Sequence, residues 1–98
     1  MAHEVVWSAT AIKQLENAYE YILKYSLQNA EKVRADILGS TRKLLANPEI
    51  HPIDKYRRNN DGSFRAYELH RYRIAYQITS NKIIIVRLRH TKMEPKLY

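Results

Sequence analysis

Apolar residues recur along this chain with two different periods, and the change of period divides it into a helical first half and an extended second half. Val5, Val6 and Trp7 favour extended backbone, so a short strand is predicted over residues 3–7. Ser8 follows as an N-cap. Ala11, Ile12, Leu15, Ala18, Tyr19 and Ile22 then recur at three- and four-residue spacing, the stripe of an amphipathic helix. Lys13, Gln14, Glu16, Asn17, Glu20 and Lys24 fill its outer face. A break at residues 26–29 offers Ser26 or Asn29 as the next cap. The second helix is predicted over residues 30–46, with Val33, Ile37, Leu38, Thr41, Leu44 and Leu45 as its stripe and Gly39 as a point of close helix–helix contact. Asn47-Pro48 ends it, because the residue before proline is driven out of the α region. Two such stripes across a short break predict an antiparallel hairpin.

From residue 64 the period becomes two. Strands are predicted over residues 64–69, 72–79 and 83–89, the last two joined by a tight turn at Ser80-Asn81-Lys82. In the second of these, Tyr72, Ile74, Tyr76 and Ile78 form an apolar row, and Arg73, Ala75 and Gln77 point the other way. In the third, Ile84, Val86 and Leu88 form the row, and Arg87 and Arg89 oppose it. Strict alternation turns His90 to the apolar side as well, although twist or a bulge at a strand end can redirect it. The element order is βααβββ. The expected fold is α+β, a helical hairpin packed on one face of a four-stranded, mostly antiparallel sheet, with the other face open and cationic. One domain spanning residues 1–98 accommodates it. Tyr19, Tyr72, Tyr76 and Trp7 are expected in the core. Tyr21 and Tyr25 lie off the helical stripe, where a partner can reach them, and His70 sits in a strand connection. The intervening stretch, residues 48–63, is a long loop with two prolines, the basic cluster Lys55, Arg57 and Arg58, and the turn signal Asn60-Asp61-Gly62.

Charge sharpens this picture. Seventeen Lys and Arg face ten acidic residues, a net charge of +7 on 98 residues. Such an excess points to a polyanionic partner, either nucleic acid or an acidic protein segment. The chain has no cysteine, which excludes disulfides and thiolate metal sites. No apolar run approaches the length of a membrane span, and no secretory signal is visible, so a cytoplasmic location is expected.

The segments VVWSATAIKQLENAYEYI, RYRIAYQI, IIIVRLRH and HTKMEPKLY, in this order and at this length, resemble the RelE/ParE toxin superfamily of type II toxin–antitoxin modules, also described as plasmid stabilization proteins. The resemblance covers nearly the whole chain. It implies a growth-inhibiting toxin and a cognate antitoxin that lays an acidic or amphipathic segment across the hairpin groove and the sheet. RelE-like members cut mRNA on the ribosome without a metal, whereas ParE-like members poison DNA gyrase and are not nucleases. On the RelE side, Arg73 matches the strand arginine that acts on the scissile phosphate, His90 the acid/base histidine of some members, and Tyr98 a functional tyrosine. On the ParE side, a tail like HTKME also occurs in gyrase poisons.

Metal-free RNA cleavage needs a base for the 2′-OH, cations for the charge that builds on the phosphate, and an acid for the leaving oxygen. The nuclease reading therefore takes Arg73, His90 and Tyr98 as catalytic, and Lys55, Arg57, Arg58, Arg65, Arg89 and Lys92 as RNA or phosphate contacts. It expects no metal and no cofactor. The structural alternatives are a hydrogen-bonded histidine at 90, a salt bridge from Arg73 to Glu68, and a solvated basic loop. The leading expectation is a metal-independent mRNA endonuclease acting at the ribosome. The alternatives are a gyrase poison, in which Arg73 is structural, and a non-toxic nucleic-acid-binding module.

Overall fold

Two serines decide where the helices begin. In the computed structural model, which describes residues 4–93 and 96–98, the Ser8 hydroxyl accepts the Ala11 N–H at 3.0 Å and the Ser26 hydroxyl accepts the Asn29 N–H at 3.0 Å. His3 of the predicted first strand and Glu94 of the tail motif lie outside the described residues. The elements are β1 (Glu4–Trp7), α1 (Ala9–Leu23), α2 (Leu27–Lys43), β2 (Phe64–Leu69), β3 (Tyr72–Ile78) and β4 (Lys82–His90). Ser26 rather than Asn29 is the second cap, so α2 starts three residues earlier than predicted. No described helix is long and apolar enough to cross a membrane.

The sheet order is β1-β4-β3-β2, with β1 parallel to β4 and the other pairs antiparallel. The two helices cover one face, which is the predicted α+β arrangement. Ala11, Val33, Ile37 and Leu44 from the hairpin meet Tyr72, Ile74, Tyr76, Ile83, Ile85 and Leu88 from the sheet in a buried core. The Tyr76 hydroxyl donates to the Pro48 carbonyl at 2.5 Å, and burial pushes this phenol up to about 12, so it stays a donor at neutral pH.

The expected apolar row of β4 is only partly correct. Ala75 pairs with Arg87, but its neighbour Tyr76 pairs with Ile85, so Val86 is one residue too many and forms a bulge. The bulge reverses the alternation. Before it, Ile83 and Ile85 enter the core while Ile84 faces the other side; after it, Leu88 and His90 face the helices while Arg87 and Arg89 do not.

Three further expectations fail for identifiable reasons. A Cβ built on Gly39 meets nothing within 4 Å, so no close helix contact requires a glycine there. Ile12 is 46% exposed, because the hairpin leaves an open groove along Trp7, Ile12, Leu15 and Tyr19. Tyr19 is only half-buried; its hydroxyl donates to Glu31 at 3.0 Å and its ring lies under the Arg34 guanidinium.

The turn between β2 and β3 places His70 and Arg71 both at positive φ (51° and 67°), the geometry a two-residue type I′ hairpin demands. Neither is glycine or asparagine. His70 is fastened to α2 by a 2.6 Å contact with Asp36, and the Arg71 carbonyl accepts the Thr91 N–H at 2.7 Å.

The bulge yields a direct prediction for urea denaturation. Ile85→Ala should cost about 2–5 kcal/mol, the range for a buried large-to-small change, whereas Ile84→Ala should cost about 1 kcal/mol. Equal losses at the two positions would mean that the alternation is not reversed.

Candidate functional site

The face away from the helices is not open, as the sequence led us to expect. The segment before β2 returns along that strand's outer edge. Asp54 N–H donates to Phe64 carbonyl at 2.9 Å, Ala66 N–H donates to Pro52 carbonyl at 3.1 Å, and Ile53 bridges Arg65. Asn60 then braces the loop through its side chain, donating to the Asp54 and Phe64 carbonyls and accepting the Gly62 N–H. The chain end lies beside it. Tyr98 N–H donates to the Tyr56 carbonyl at 3.0 Å, and Arg58 N–H donates to the Tyr98 carbonyl at 2.6 Å. Ala66 and Ala75, which pair with each other across β2 and β3, are buried on this side.

At the centre is Asp54, 1% exposed. Its Oδ1 accepts from Arg73 Nη2 at 3.0 Å and from the Tyr56 N–H at 3.1 Å, and its Oδ2 accepts from the Tyr98 hydroxyl at 2.5 Å. Burial on its own would raise this carboxyl. The bonds from Tyr98, Tyr56 and Arg73 outweigh burial and hold it below its ordinary value, so it is ionised at neutral pH. Tyr98 is pushed up, by burial first and by the Asp54 carboxylate next, so its phenol is a fixed donor. Arg73 reaches Glu68 as well, at 3.6 Å, and its guanidinium lies over the Tyr56 ring.

Three more arginines share this face. Arg57 stacks over Phe64 at 4.1 Å and flanks Tyr98 at 5.2 Å; its Nε is buried without a hydrogen-bond partner, so the aromatic faces carry that charge. Arg87 covers the other side of the Tyr98 ring at 4.4 Å and donates to the Lys96 carbonyl at 2.9 Å. Burial first, and Arg89 next, hold the Arg87 guanidinium below its ordinary value. The register sets Arg89 directly across from Arg73.

The candidate residues of the sequence thus fall into two groups. Arg73 and Tyr98 meet at Asp54, with Arg57 beside them and Lys55 and Arg58 on the same loop. His90 is on the helix side of the sheet, edge-on to Tyr72 at 5.1 Å, with its Nδ1 accepting the Lys92 N–H at 3.0 Å. Lys92 lines the same groove as His90. Arg65 pairs across from Tyr76 and therefore also lies on the helix side; it donates to the His51 carbonyl at 2.7 Å and clamps the loop. His51 is stacked on Tyr67 at 4.1 Å, and burial holds its imidazole below its ordinary value. The structure brings Arg73 and Tyr98 together and leaves His90 across the sheet from both.

Asp54 is the residue that sequence reasoning missed. One signal was present: it is the only acid between Glu49 and Asp61, inside a run otherwise rich in Lys and Arg.

The site predicts a pH effect. Because the folded carboxyl lies below its ordinary 3.8, the stability that Asp54 contributes is complete above that value and is lost as pH falls through the lower folded value. The gap in unfolding free energy between wild type and Asp54→Asn should therefore close on acidification. Asp54→Ala should cost about 3–5 kcal/mol at pH 7, since it strands Arg73, and Tyr98→Phe about 1.5–3 kcal/mol. A gap that stays constant down to the acid limit would show that Asp54 does not hold this face together.

A sequence model described as the ParE toxin of type II toxin-antitoxin system, parDE, matches residues 5–95. Among solved structures, the chain is similar to one described as the chromosomal ParDE TA system from P. aeruginosa, at TM-score 0.72 and 18% identity, covering 94% of this chain and 98% of that one. It is also similar to the YoeB dimer from Staphylococcus aureus, at TM-score 0.59 and 17% identity, covering 92% and 98%. None of the curated protein sequences compared matches. At these identities the two structures speak for the fold, and the sequence model speaks for the family. Its match runs from β1 through the end of β4 into the tail, so the chain belongs to the ParE toxin family of type II toxin–antitoxin systems.

Proposed function

We propose that this toxin arrests growth by binding a protein target, DNA gyrase, and not by cutting RNA. One observation carries this reading: the side chains that nuclease chemistry would need are on opposite faces of the sheet. Arg73 is committed to the buried Asp54, and His90 lies on the helix side. A general acid or base must come within hydrogen-bond reach of the group it serves, and a strand's thickness separates these two. Tyr98 has the wrong protonation bias for a base, since burial and Asp54 keep its phenol protonated. Arg73 then acts as a structural cation that fixes the loop and the tail.

A cognate antitoxin is the second partner of this reading. The P. aeruginosa structure is described as a toxin–antitoxin system, which supports a cognate antitoxin here. The charge supports an acidic one: from Ile50 onward there are eleven Lys and Arg but only four Asp and Glu, whereas the first 49 residues carry six of each. The excess therefore resides entirely in the loop and strands, where it attracts an acidic segment.

Arg57 and Arg87 flank Tyr98, and Arg73 is joined to it through Asp54, which favours a second reading, the metal-independent mRNA endonuclease. With the tail lifted, these guanidinium groups would frame a phosphate, with Lys55, Arg58 and Arg89 near it. His90 would then need a partner RNA that wraps the sheet edge.

One induction experiment separates the readings. After controlled expression without antitoxin, total RNA and chromosomal integrity are followed together. The gyrase reading expects DNA double-strand breaks and an SOS response with transcripts intact, and purified chain should trap gyrase cleavage complexes. Fragmented transcripts with unbroken chromosomes would reject it in favour of the nuclease.

A further inference from the structure

β4 outruns its neighbour. β1 pairs only with residues 82–85, while β4 continues to His90. Past Trp7 the side chain of Gln14 reaches the strand instead, and its Oε1 accepts the Leu88 N–H at 2.7 Å. That bond fixes which way the amide lies. Its oxygen is engaged, so what Gln14 can offer a ligand is its two N–H donors. At the strand end, His90 Nδ1 accepts the Lys92 N–H at 3.0 Å. A ring that accepts at Nδ1 carries its proton on Nε2, so His90 too offers a donor. The Lys92 ammonium adds a third donor group and a full positive charge. Gln14, His90 and Lys92 line one groove, between α1 and the end of β4. Among the described residues, no carboxylate lines it.

The groove holds about 620 Å³, a volume that suits a small molecule. Tyr21, Leu88 and Met93 give it apolar walls. Tyr21 is 56% exposed, and its ring is set edge-on to Tyr25 at 5.7 Å, which orients it before any ligand arrives. The Met93 thioether opposite is equally exposed and adapts to a flat surface. Asn17 lies on the same face of α1 as Gln14 and Tyr21 and presents an exposed amide to the groove. Such an amide pairs two-fold with the amino group and N7 of adenine.

We propose that this groove binds a free adenine nucleotide, with its base against Tyr21 and its phosphate at Lys92 and His90. Asn17 pairs with the edge of the base, and Gln14 donates to a ribose or phosphate oxygen. The two surfaces match in chemistry. A nucleotide brings a flat ring and an acceptor-rich anion, and the groove presents a ring face, N–H donors and a cation. The site differs from the nuclease reading in face and in ligand. It lies on the helix side, away from Arg73 and Asp54, and it holds a single nucleotide without cutting it. It calls for neither gyrase nor ribosome, so it goes beyond the protein-target reading and does not rest on it.

The test titrates the full chain with AMP and follows its amide resonances. AMP should bind with a Kd of about 1 mM or tighter. It should shift the Leu88, His90 and Lys92 amides and the Gln14 side-chain amide, and leave the Tyr56 and Arg73 amides in place. Affinity should fall at least about tenfold in Lys92→Glu and in Tyr21→Ala, and adenosine or inorganic phosphate alone should bind at least about tenfold more weakly than AMP. Asn17→Leu should remove the preference for AMP over CMP. All three positions are exposed, so the variants keep the fold, as their unfolding curves would verify. Absence of binding at about 10 mM AMP would overturn the proposal, as would shifts confined to the Asp54 face. Inorganic phosphate that binds as well as AMP would reduce the groove to an unselective anion patch and overturn it too. So would an RNA oligonucleotide that binds where AMP does not. A chain that traps gyrase yet ignores AMP retains the protein-target reading and loses this one; a chain that binds AMP and traps no gyrase does the reverse.

Discussion

A single buried carboxylate holds the second face of this protein together. Among the described residues, Asp54 is the only acid within hydrogen-bond distance of Arg73, Tyr98 and the Tyr56 N–H at once. Four arginines (Arg57, Arg73, Arg87 and Arg89) occupy the same face. Burying such charges without compensation is expensive, and a buried pair stabilises only when its remaining lone pairs and protons are also satisfied. Asp54 meets that condition with three donors, and the aromatic rings of Tyr56, Phe64 and Tyr98 take up guanidinium faces that it does not reach. The consequence is geometric. One side chain ties a loop (Tyr56), a central strand (Arg73) and the chain end (Tyr98) into one unit, and the arginine whose pattern first drew attention becomes a brace.

The second constraint is the bulge at Val86. It turns a simple two-sided strand into one whose sides exchange midway. Before it, β4 contributes Ile83 and Ile85 to the core; beyond it, the arginines are kept on the face with Asp54 while Leu88 and His90 are sent toward the helices. Had the alternation run unbroken from Ile83, Arg87 and Arg89 would have pointed into the helix layer, where the buried residues among those described are apolar apart from Thr41. The inserted residue thus reconciles an apolar start and a basic end on one strand. It also separates His90 from Arg73, which is why the functional reading turns on it.

The helical half was legible in the sequence because its signals are local. Ser8 and the stripe of α1 lie within one or two turns of each other, and the βααβββ order follows from where the period changes. The second half was less so. Both the odd row (Ile83, Ile85) and the even row (Ile84, Val86, Leu88) of β4 are apolar, so period alone could not reveal that the strand uses each in turn. Asp54 was hidden for a different reason: its partners lie 19 and 44 residues away, and only the folded loop brings them to it. Ile12 was assigned to the core because a stripe marks which face is apolar, not how much of that face the rest of the chain can cover. Of the candidate residues, Arg73, Tyr98 and Arg57 lie together around Asp54, whereas His90, Lys92 and Arg65, which the resemblance and the charge pattern set beside them, lie on the helix side of the sheet.

The uncovered surfaces follow from the same economy of size. A chain of 98 residues has material for one core and cannot cover every apolar face it makes. What remains exposed is organised: an apolar trough along the hairpin at Trp7, Ile12 and Leu15, and a mixed apolar and basic groove where β4 outruns β1. The trough carries Glu16, Glu20 and Arg34 on its rim, so its charge is mixed, whereas the groove among its described residues presents only cationic or neutral groups. Two grooves of different charge, on either side of the same helix α1, can select different segments of a partner. The face behind the sheet differs from both, because Asp54 fastens the loop and the chain end over it and leaves the exposed grooves to the helical side.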